Sequence, residues 1–430
     1  MRITTRLFWV VLITVSSGLC QQELSLDDAI LTALKNNYDI RISESEYDGA
    51  EINNSYGTAG LYPTIDFSLS SLYQQDYSDL NDFTLNRTTY GITLNWTLFD
   101  GFSMWIRKEK LDYYQDLTAG HADVVIEGTI ESVILAYYGV LLEQEKLEVA
   151  ETLKKLSQDR YDYESERQQL GSLTTYDLLQ AKNSWLEDQG RFMLQEAAFK
   201  NSVRDLIFLM GEESQVTYTF TSEFEPKPQM YDLESLRDKM MSNNRTLKNQ
   251  YINQSLLEKE IRLKKSDWYP SLSLRGGYNN VSSNTDYLNN GSASSESYNY
   301  QGTLTLSWNL FNGGNRRRAV EIAQVDREIG QIEINRMEHS LANQLHNLYE
   351  IHLVRQELLN VAQEALDTAE LNLTISEEKF RNGVINSFNY RDVQLLYLNT
   401  AVNRLNAIYA YIDVNTALMR LTGGIIAQYE

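Results

Sequence analysis

The chain is poor in cysteine, proline and basic residues, and each shortage removes a class of protein. One cysteine in 430 residues leaves no internal disulfide framework and no cysteine-rich zinc site. The four prolines, Pro63, Pro226, Pro228 and Pro270, leave 64–225 and 271–430 uninterrupted, so very long helices are permitted there. Lysine and arginine total 38 against 59 acidic residues, a net charge of −21. That balance argues against nucleic acid as a partner, because a phosphate backbone demands concentrated cations. Beyond the leader no segment is apolar over 18 residues, which excludes a bundle of membrane-spanning helices. A β-barrel remains the open route into a membrane. Enzyme chemistry lacks its signatures too: the four histidines have no metal-ligand spacing, and there is no Walker loop, Gly-x-Gly-x-x-Gly or Gly-x-Ser-x-Gly. No catalytic, cofactor-binding or metal site is assigned, and the carboxylates read as scattered over solvated helix faces.

What is present begins with an address. Arg2 and Arg6, the apolar run Leu7 to Val15 and the small residues Ser16-Ser17-Gly18 make residues 1–20 a secretory signal peptide. Cys20 stands where a lipobox cysteine would, but Leu19 occupies a position that needs a small residue. Cleavage near Cys20-Gln21 is therefore the favoured reading, with lipid attachment at Cys20 the alternative. The remaining chain, with 42% hydrophobic residues, has enough apolar matter for a sizeable core.

The exported part is internally duplicated. Leu26, Asn36-Asn37 and Pro63 recur as Leu233, Asn243-Asn244 and Pro270, offset by 207. Trp96, Phe99, Gly101, Gly171, Leu209 and Gly211 recur as Trp308, Phe311, Gly313, Gly383, Leu421 and Gly423, offset by 212. Ordered anchors at two constant offsets mean repetition, with a five-residue insertion assigned to a Ser/Asn-rich loop between Asn279 and Asn299. The organisation expected is a first repeat over 21–222, a stiff linker over 223–230 around Pro226 and Pro228, a second repeat over 231–424 and a tail over 425–430.

Each repeat reads helix, hairpin, long helix, long helix. Helical spacing from Ser25 to about Tyr56 gives way to strict alternation, with Ile65, Phe67 and Leu69 on one side and Asp66, Ser68 and Ser70 on the other. The later strands alternate likewise, the last as Tyr300, Leu304, Leu306, Trp308 and Leu310 against Gln301, Thr303, Thr305, Ser307 and Asn309. Period two predicts four strands with one apolar and one polar face. Helical spacing then holds from Phe102 to Gln169 and from Asn315 to Arg381, lengths of roughly 100 Å at about 1.5 Å per residue. Such helices pack as coiled coils, not as a compact core.

About ten alternating residues per strand suit a tilted membrane strand. Trp96, Trp105, Trp268 and Trp308 fall at strand ends, as an interfacial belt requires. Four strands close no barrel, and lipid tolerates no open edge, so several copies must pool their hairpins.

The leader, the duplicated units, the Tyr62-Pro63 and Tyr269-Pro270 strand openings, the Leu98-Phe99-Asp100-Gly101 and Leu310-Phe311-Asn312-Gly313-Gly314 exits and the glycine between each long helix pair resemble the TolC-like outer-membrane efflux family. The resemblance spans essentially the whole exported chain. It implies an α+β membrane protein of the cell outer membrane: a homotrimer with a twelve-stranded β-barrel, four strands per protomer, continued by a long periplasmic α-helical barrel. Its implied partners are a periplasmic adaptor, an inner-membrane pump of RND or ABC type and outer-membrane lipid, and its implied work is passive export of drugs, metals or proteins. No cofactor is implied. The helix tips Gly171, Ser172 and Leu173, and Gly383, Val384 and Ile385, would meet the adaptor. In the family, acidic residues six and nine positions after the second glycine constrict the pore; Asp392 matches the ninth, whereas the sixth is Asn389 and Asp177 holds it in the first repeat. The basic runs Arg316-Arg317-Arg318 and Arg107-Lys108 with Lys110 lie at helix starts, where cations call for an anionic neighbour, and headgroups of the inner leaflet fit. The competing reading is a secreted, non-conducting helical scaffold that self-associates through its hairpins.

Overall fold

The computed structural model describes residues 22–77, 82–213, 218–226, 228–287 and 291–426, so the leader and Cys20 lie outside the described residues, as do Lys227 and the end of the tail. A short strand β1 (Gln22–Leu24) leads into α1 (Leu26–Asn36), α2 (Tyr38–Asn53), β2 (Thr64–Asp76), β3 (Phe83–Asp100), α3 (Ser103–Gln169) and α4 (Thr175–Leu209). After β4 (Tyr218–Phe220) come α5 (Leu233–Asn243), α6 (Arg245–Ser266), β5 (Ser271–Tyr287), β6 (Gly291–Ser307), α7 (Asn315–Arg381) and α8 (Ser387–Leu421). Helices α3 and α7 have 67 residues each, and α4 and α8 have 35 each.

Three boundaries differ from expectation. The helix over 25–56 breaks at Asn37, because that side chain caps a new helix. The stretch from Asn279 to Asn299 is mostly strand rather than loop: β5 and β6 pair from Ser271↔Ser307 out to Tyr287↔Gly291. Hydrogen bonding along a closed hairpin overrides the weak strand propensity of Ser and Asn. The last strand ends at Ser307, short of Leu310.

The main sheet has the order β2-β3-β5-β6. Every neighbouring pair is antiparallel, so the two hairpins lie side by side, joined through β3 and β5. Strands β2 and β6 have no partner on their outer edges among the described residues. A second sheet, unforeseen in the sequence, pairs β1 with β4 in parallel.

Helix α3 is the spine. Lys110 and Glu109 pair with Glu260 and Lys259 of α6 near its start. Further along, Gln195 of α4 donates to Glu143 at 2.6 Å, and Gln394 of α8 donates to the Leu156 carbonyl. Midway lies the core, where Ile130, Val133, Tyr137 and Val140 meet Ile30, Leu206, Met210 and Ile408. The Tyr137 hydroxyl donates to the Leu24 carbonyl at 2.9 Å, tying β1 to the core. By length and composition α3 is the one described helix apolar enough to cross a membrane, but much of that window is buried; it is the face that builds this core.

The duplicated anchors prove to be one contact made twice. Asn37 Oδ1 accepts from the amides of Asp39 and Ile40, while its Nδ2 donates to the Leu209 carbonyl at 2.7 Å. Asn244 Oδ1 accepts from the Leu247 amide, and its Nδ2 donates to the Leu421 carbonyl at 3.0 Å. Each asparagine thus caps one helix and binds the end of another. Gly211, at φ +70, lies so near Asn36 that a Cβ would come within 2.3 Å of its carbonyl oxygen.

Asn244→Ala removes the cap and strands the Leu421 carbonyl, and should cost about 1–2 kcal/mol. Denaturant unfolding in detergent reads the loss, and Asn244→Asp, which keeps only the acceptor, should fall between the two.

Candidate pore: the apolar sheet face and the helix tips

The alternating strands stack their apolar residues in rows. Phe67 pairs with Ile92, Ile92 with Tyr278 and Tyr278 with Tyr300; one row lower, Ile65 meets Leu94. Trp96, Leu274 and Leu304 continue the face, followed by Leu272 beside Leu306. Ile65 is 70% exposed, Phe67 69% and Tyr300 78%. So large a continuous apolar surface does not face water in a folded protein.

The opposite face is polar, and on β3 it is the more covered one: Gly91 is buried and Thr89, Thr93 and Asn95 are half-buried, whereas Asn86, Thr88, Tyr90 and Ile92 are exposed. Across it runs a chain in which Asn95 donates to Asp66 at 3.3 Å and Arg275 donates to Asn95 at 3.0 Å.

All four predicted tryptophans gather where the sheet meets the helices. Trp96 Nε1 donates to the Leu61 carbonyl, Trp308 Nε1 to the Trp268 carbonyl, and Trp105 packs edge-on against Tyr56. Most of the basic side chains beside them find partners within the chain. Arg316 is buried, donates to the Asp267 and Asn309 carbonyls and lies over the Trp268 ring. Arg107 pairs with Asp100, Lys108 with Asp112 and Lys110 with Glu260. Arg317, bound to Glu321, and Arg318, which donates to the Gly313 carbonyl and to Asn315, stay exposed.

At the far ends of the long helices the two tips are built alike. Gly171 and Gly383 both have φ +73, and a Cβ would meet nothing within 4 Å at either. Backbone conformation alone therefore demands glycine there. The Ser172 amide donates to the Arg167 carbonyl and the Val384 amide to the Lys379 carbonyl, closing each helix. Ser172 and Val384 are exposed, and Leu173 and Ile385 are half-buried.

The proposed constriction residues fall just beyond. Thr174 caps α4 and its hydroxyl donates to the Asp177 carboxylate at 2.6 Å, so a capping role accounts for Asp177. Asn386 caps α8 by accepting from the Asn389 amide. Asn389 and Asp392 share one exposed helix face, while Tyr390 and Arg391 between them are buried.

Those buried neighbours belong to a cluster that sequence reasoning missed. Arg391 donates to both Asp188 oxygens, at 2.6 and 2.8 Å, and Asp188 is 1% exposed. Arg160, also buried, donates to the Ser387 carbonyl, and burial with the nearby Arg391 pulls its guanidinium down to about 10. Glu164 is 1% exposed with Arg167 3.6 Å away; burial pushes its carboxyl up. The group ties α3 and α4 to α8. Its one signal in sequence is position: Ser157, Arg160 and Glu164 continue the buried stripe of Leu153. The expectation that all carboxylates are solvated fails for Glu127, Glu164 and Asp188, which are buried. Of the histidines, His352 is buried between the Tyr231 and Tyr411 rings and bonded to the Gln229 carbonyl of the linker. No cluster of side chains suited to a metal occurs among the described residues.

The sequence profile of the family described as Outer membrane efflux protein matches residues 29–212 and again 236–424. The chain belongs to that family. It is an outer-membrane transport protein with a long periplasmic helical extension, and not an enzyme. It is 24% identical over 340 residues to the proteases secretion protein PrtF of Dickeya chrysanthemi, covering 74% of this chain and 72% of that one. It is 26% identical over 259 residues to the outer membrane protein TolC of Vibrio cholerae, covering 60% and 58% respectively. The fold resembles the Campylobacter jejuni CmeC outer membrane channel, with a TM-score of 0.71 at 16% identity over 93% of this chain and 85% of that one.

Two outcomes follow from the buried charges. Asp188→Asn leaves Arg391 buried without an anion and should cost about 3–5 kcal/mol, whereas Asp188→Leu with Arg391→Met should recover most of it. Native-state hydrogen exchange over 156–164 and 387–394 measures both. Burial raises Glu127 to about 7 against the pull of Arg245 and Arg420. The folded state then holds that proton more tightly than the unfolded state, so stability should fall as pH rises between the ordinary carboxyl value and about 7. Glu127→Gln should flatten that slope in unfolding measured across the same window.

Proposed function

We propose that the chain is the outer-membrane exit duct of a tripartite efflux or type I secretion system. Three copies pool their hairpins into a twelve-stranded β-barrel, and their long helices form a periplasmic tunnel. One observation carries this reading: a four-stranded sheet with an apolar face in full register and two unpaired edges. Lipid accepts the face and forbids the edges, so copies must complete each other's hydrogen bonding. The polar face then lines the lumen, and the four tryptophans lie at the inner interface.

The paired units with their equal helix lengths are two repeats joined by the strap around Pro226 and Pro228. The tips Gly171–Leu173 and Gly383–Ile385 dock on a periplasmic adaptor, which connects the duct to an inner-membrane pump of RND or ABC type. Asp392 and Asn389, with Asp177 at the other tip, form the constriction; three copies of Asp392 concentrate negative potential and favour cations. The likeness to a relative named for protease secretion supports protein cargo as one use, and energy for transport comes from the pump.

The test is purification from the membrane fraction in detergent followed by planar-bilayer recording. A trimer that conducts ions is expected, with cation block weakened in Asp392→Ala. A monodisperse monomer in detergent-free buffer overturns the duct, and unchanged block in Asp392→Ala overturns the assignment of the constriction alone.

A further inference from the structure

The linker that follows β4 is held by side chains of the helices it crosses. Phe224 is buried in the core around Tyr137, and Glu225 pairs with Arg404 of α8 at 3.4 Å. Further on, helix side chains take both backbone groups of Gln229. Its amide donates to the Tyr411 hydroxyl of α8 at 2.9 Å, and its carbonyl accepts from His352 Nε2 of α7 at 3.1 Å. The Tyr349 hydroxyl donates to the Tyr231 carbonyl at 3.4 Å. The linker thereby ties the core to the α7–α8 pair. Among these contacts His352 is the one whose ordinary titration falls near neutral pH.

His352 is 1% exposed, its ring centre 5.1 Å from that of Tyr231 and 5.2 Å from that of Tyr411. The Gln229 carbonyl can only accept, so Nε2 carries the hydrogen and Nδ1 is the bare nitrogen. Nδ1 is buried and has no partner among the described residues. A second proton would put an N–H there without an acceptor and a charge without a counter-ion. The titratable groups facing the ring are the phenols of Tyr231 and Tyr411, with Tyr349 one turn back on α7. Glu225 and Arg404 pair with each other, and Asp232, Glu350 and Asp413 are exposed. The two phenol faces replace only part of the hydration that an imidazolium loses. Burial accordingly pulls the imidazole below its ordinary value, although the Gln229 carbonyl favours the protonated form.

We propose that His352 is an acid-sensitive clamp, whose neutral ring holds the linker on the α7–α8 pair and whose protonation releases Gln229. Gln229 and Met230 are exposed on their outer side, so this stretch can lift into solvent and let water reach the ring. The ring holds its extra proton more weakly with the linker closed than with it open. The clamp is therefore at full strength above about pH 6.5, weakens as pH falls below that value and levels off beneath the lowered one. With the linker lifted, Gln394 still binds the Leu156 carbonyl of α3 and Arg391 still pairs with Asp188 of α4. Acid thus frees one cross-tie while the helix pairs stay joined nearer the tips.

The test follows the full chain in detergent by mass spectrometry in two ways. Exchange of the imidazole carbon-bound hydrogen gives the titration midpoint of His352, with His121, His339 and His346, all exposed on the protomer, as references. Exchange of the Gln229, Met230 and Tyr231 amides, corrected for intrinsic rates, gives the protection of the linker. The His352 midpoint should lie below about 6.5, and linker protection should fall between about pH 7.5 and about pH 5. The full loss should be about tenfold for each pH unit by which the midpoint is lowered. His352→Gln keeps a donor for the Gln229 carbonyl without titrating, and should leave linker protection independent of pH. Should that variant fail to hold the linker, Tyr411→Phe serves: it should lower protection at every pH and leave the slope in place. A midpoint at or above about 6.5, linker protection that ignores pH in the parent chain, or a slope that survives His352→Gln overturns the clamp. Each of these outcomes leaves the duct reading to its own test by conductance.

Discussion

A β-strand at the edge of a sheet carries a row of amides and carbonyls that hydrocarbon cannot satisfy. In this protein that constraint acts on β2 and β6, the two strands of the sheet left unpaired on one side among the described residues. The face between them is too apolar for water, and the edges are too polar for lipid. Neither solvent suits the protomer by itself, and the assembly proposed for it is the arrangement in which both are suited at once. The helices inherit the same logic: α4 and α7 bear apolar residues such as Leu186, Leu194, Ile322 and Ile332 exposed on the protomer, surfaces a neighbouring copy would cover.

Inside the protomer, stability is concentrated at the level where the short helices end. The paired asparagines Asn37 and Asn244 join α1–α2 to α4, and α5–α6 to α8, by the same two-sided hydrogen bonding. The core around Tyr137 and the linker residue Gln229 lie at that level too, with Gln229 bonded to both Tyr411 and His352. Away from it the helix pairs rely on coiled-coil contacts and, near the tips, on the ionic cluster of Arg160, Asp188 and Arg391.

Much of this was legible in the chain because it depends on local periodicity. Period two marks the strands, proline-free helical spacing marks α3 and α7, and Gly171 and Gly383 mark turns that only glycine adopts easily. What escaped depends on partners remote in sequence. Asn37 was recognisable as a repeated residue, but its role needs the Leu209 carbonyl 172 positions away. Asp188 looks like any exposed helix acid until Arg391, 203 positions on, meets it. The parallel pair β1 and β4 has three residues per strand, too few for a pattern. The Ser- and Asn-rich part of β5 and β6 has little intrinsic preference for strand and is held by its pairing.

Helix α3 passes from the tryptophan cluster to the tip without a proline and without a break in 67 residues, and α7 does the same. Neither has a hinge of its own. Such a rod behaves as a lever: with about 100 Å between its ends, a swing of about 5° at the sheet would carry the tip sideways by about 9 Å. The stacking of Arg316 on Trp268 at the head of α7 therefore acts where small angular play is magnified most.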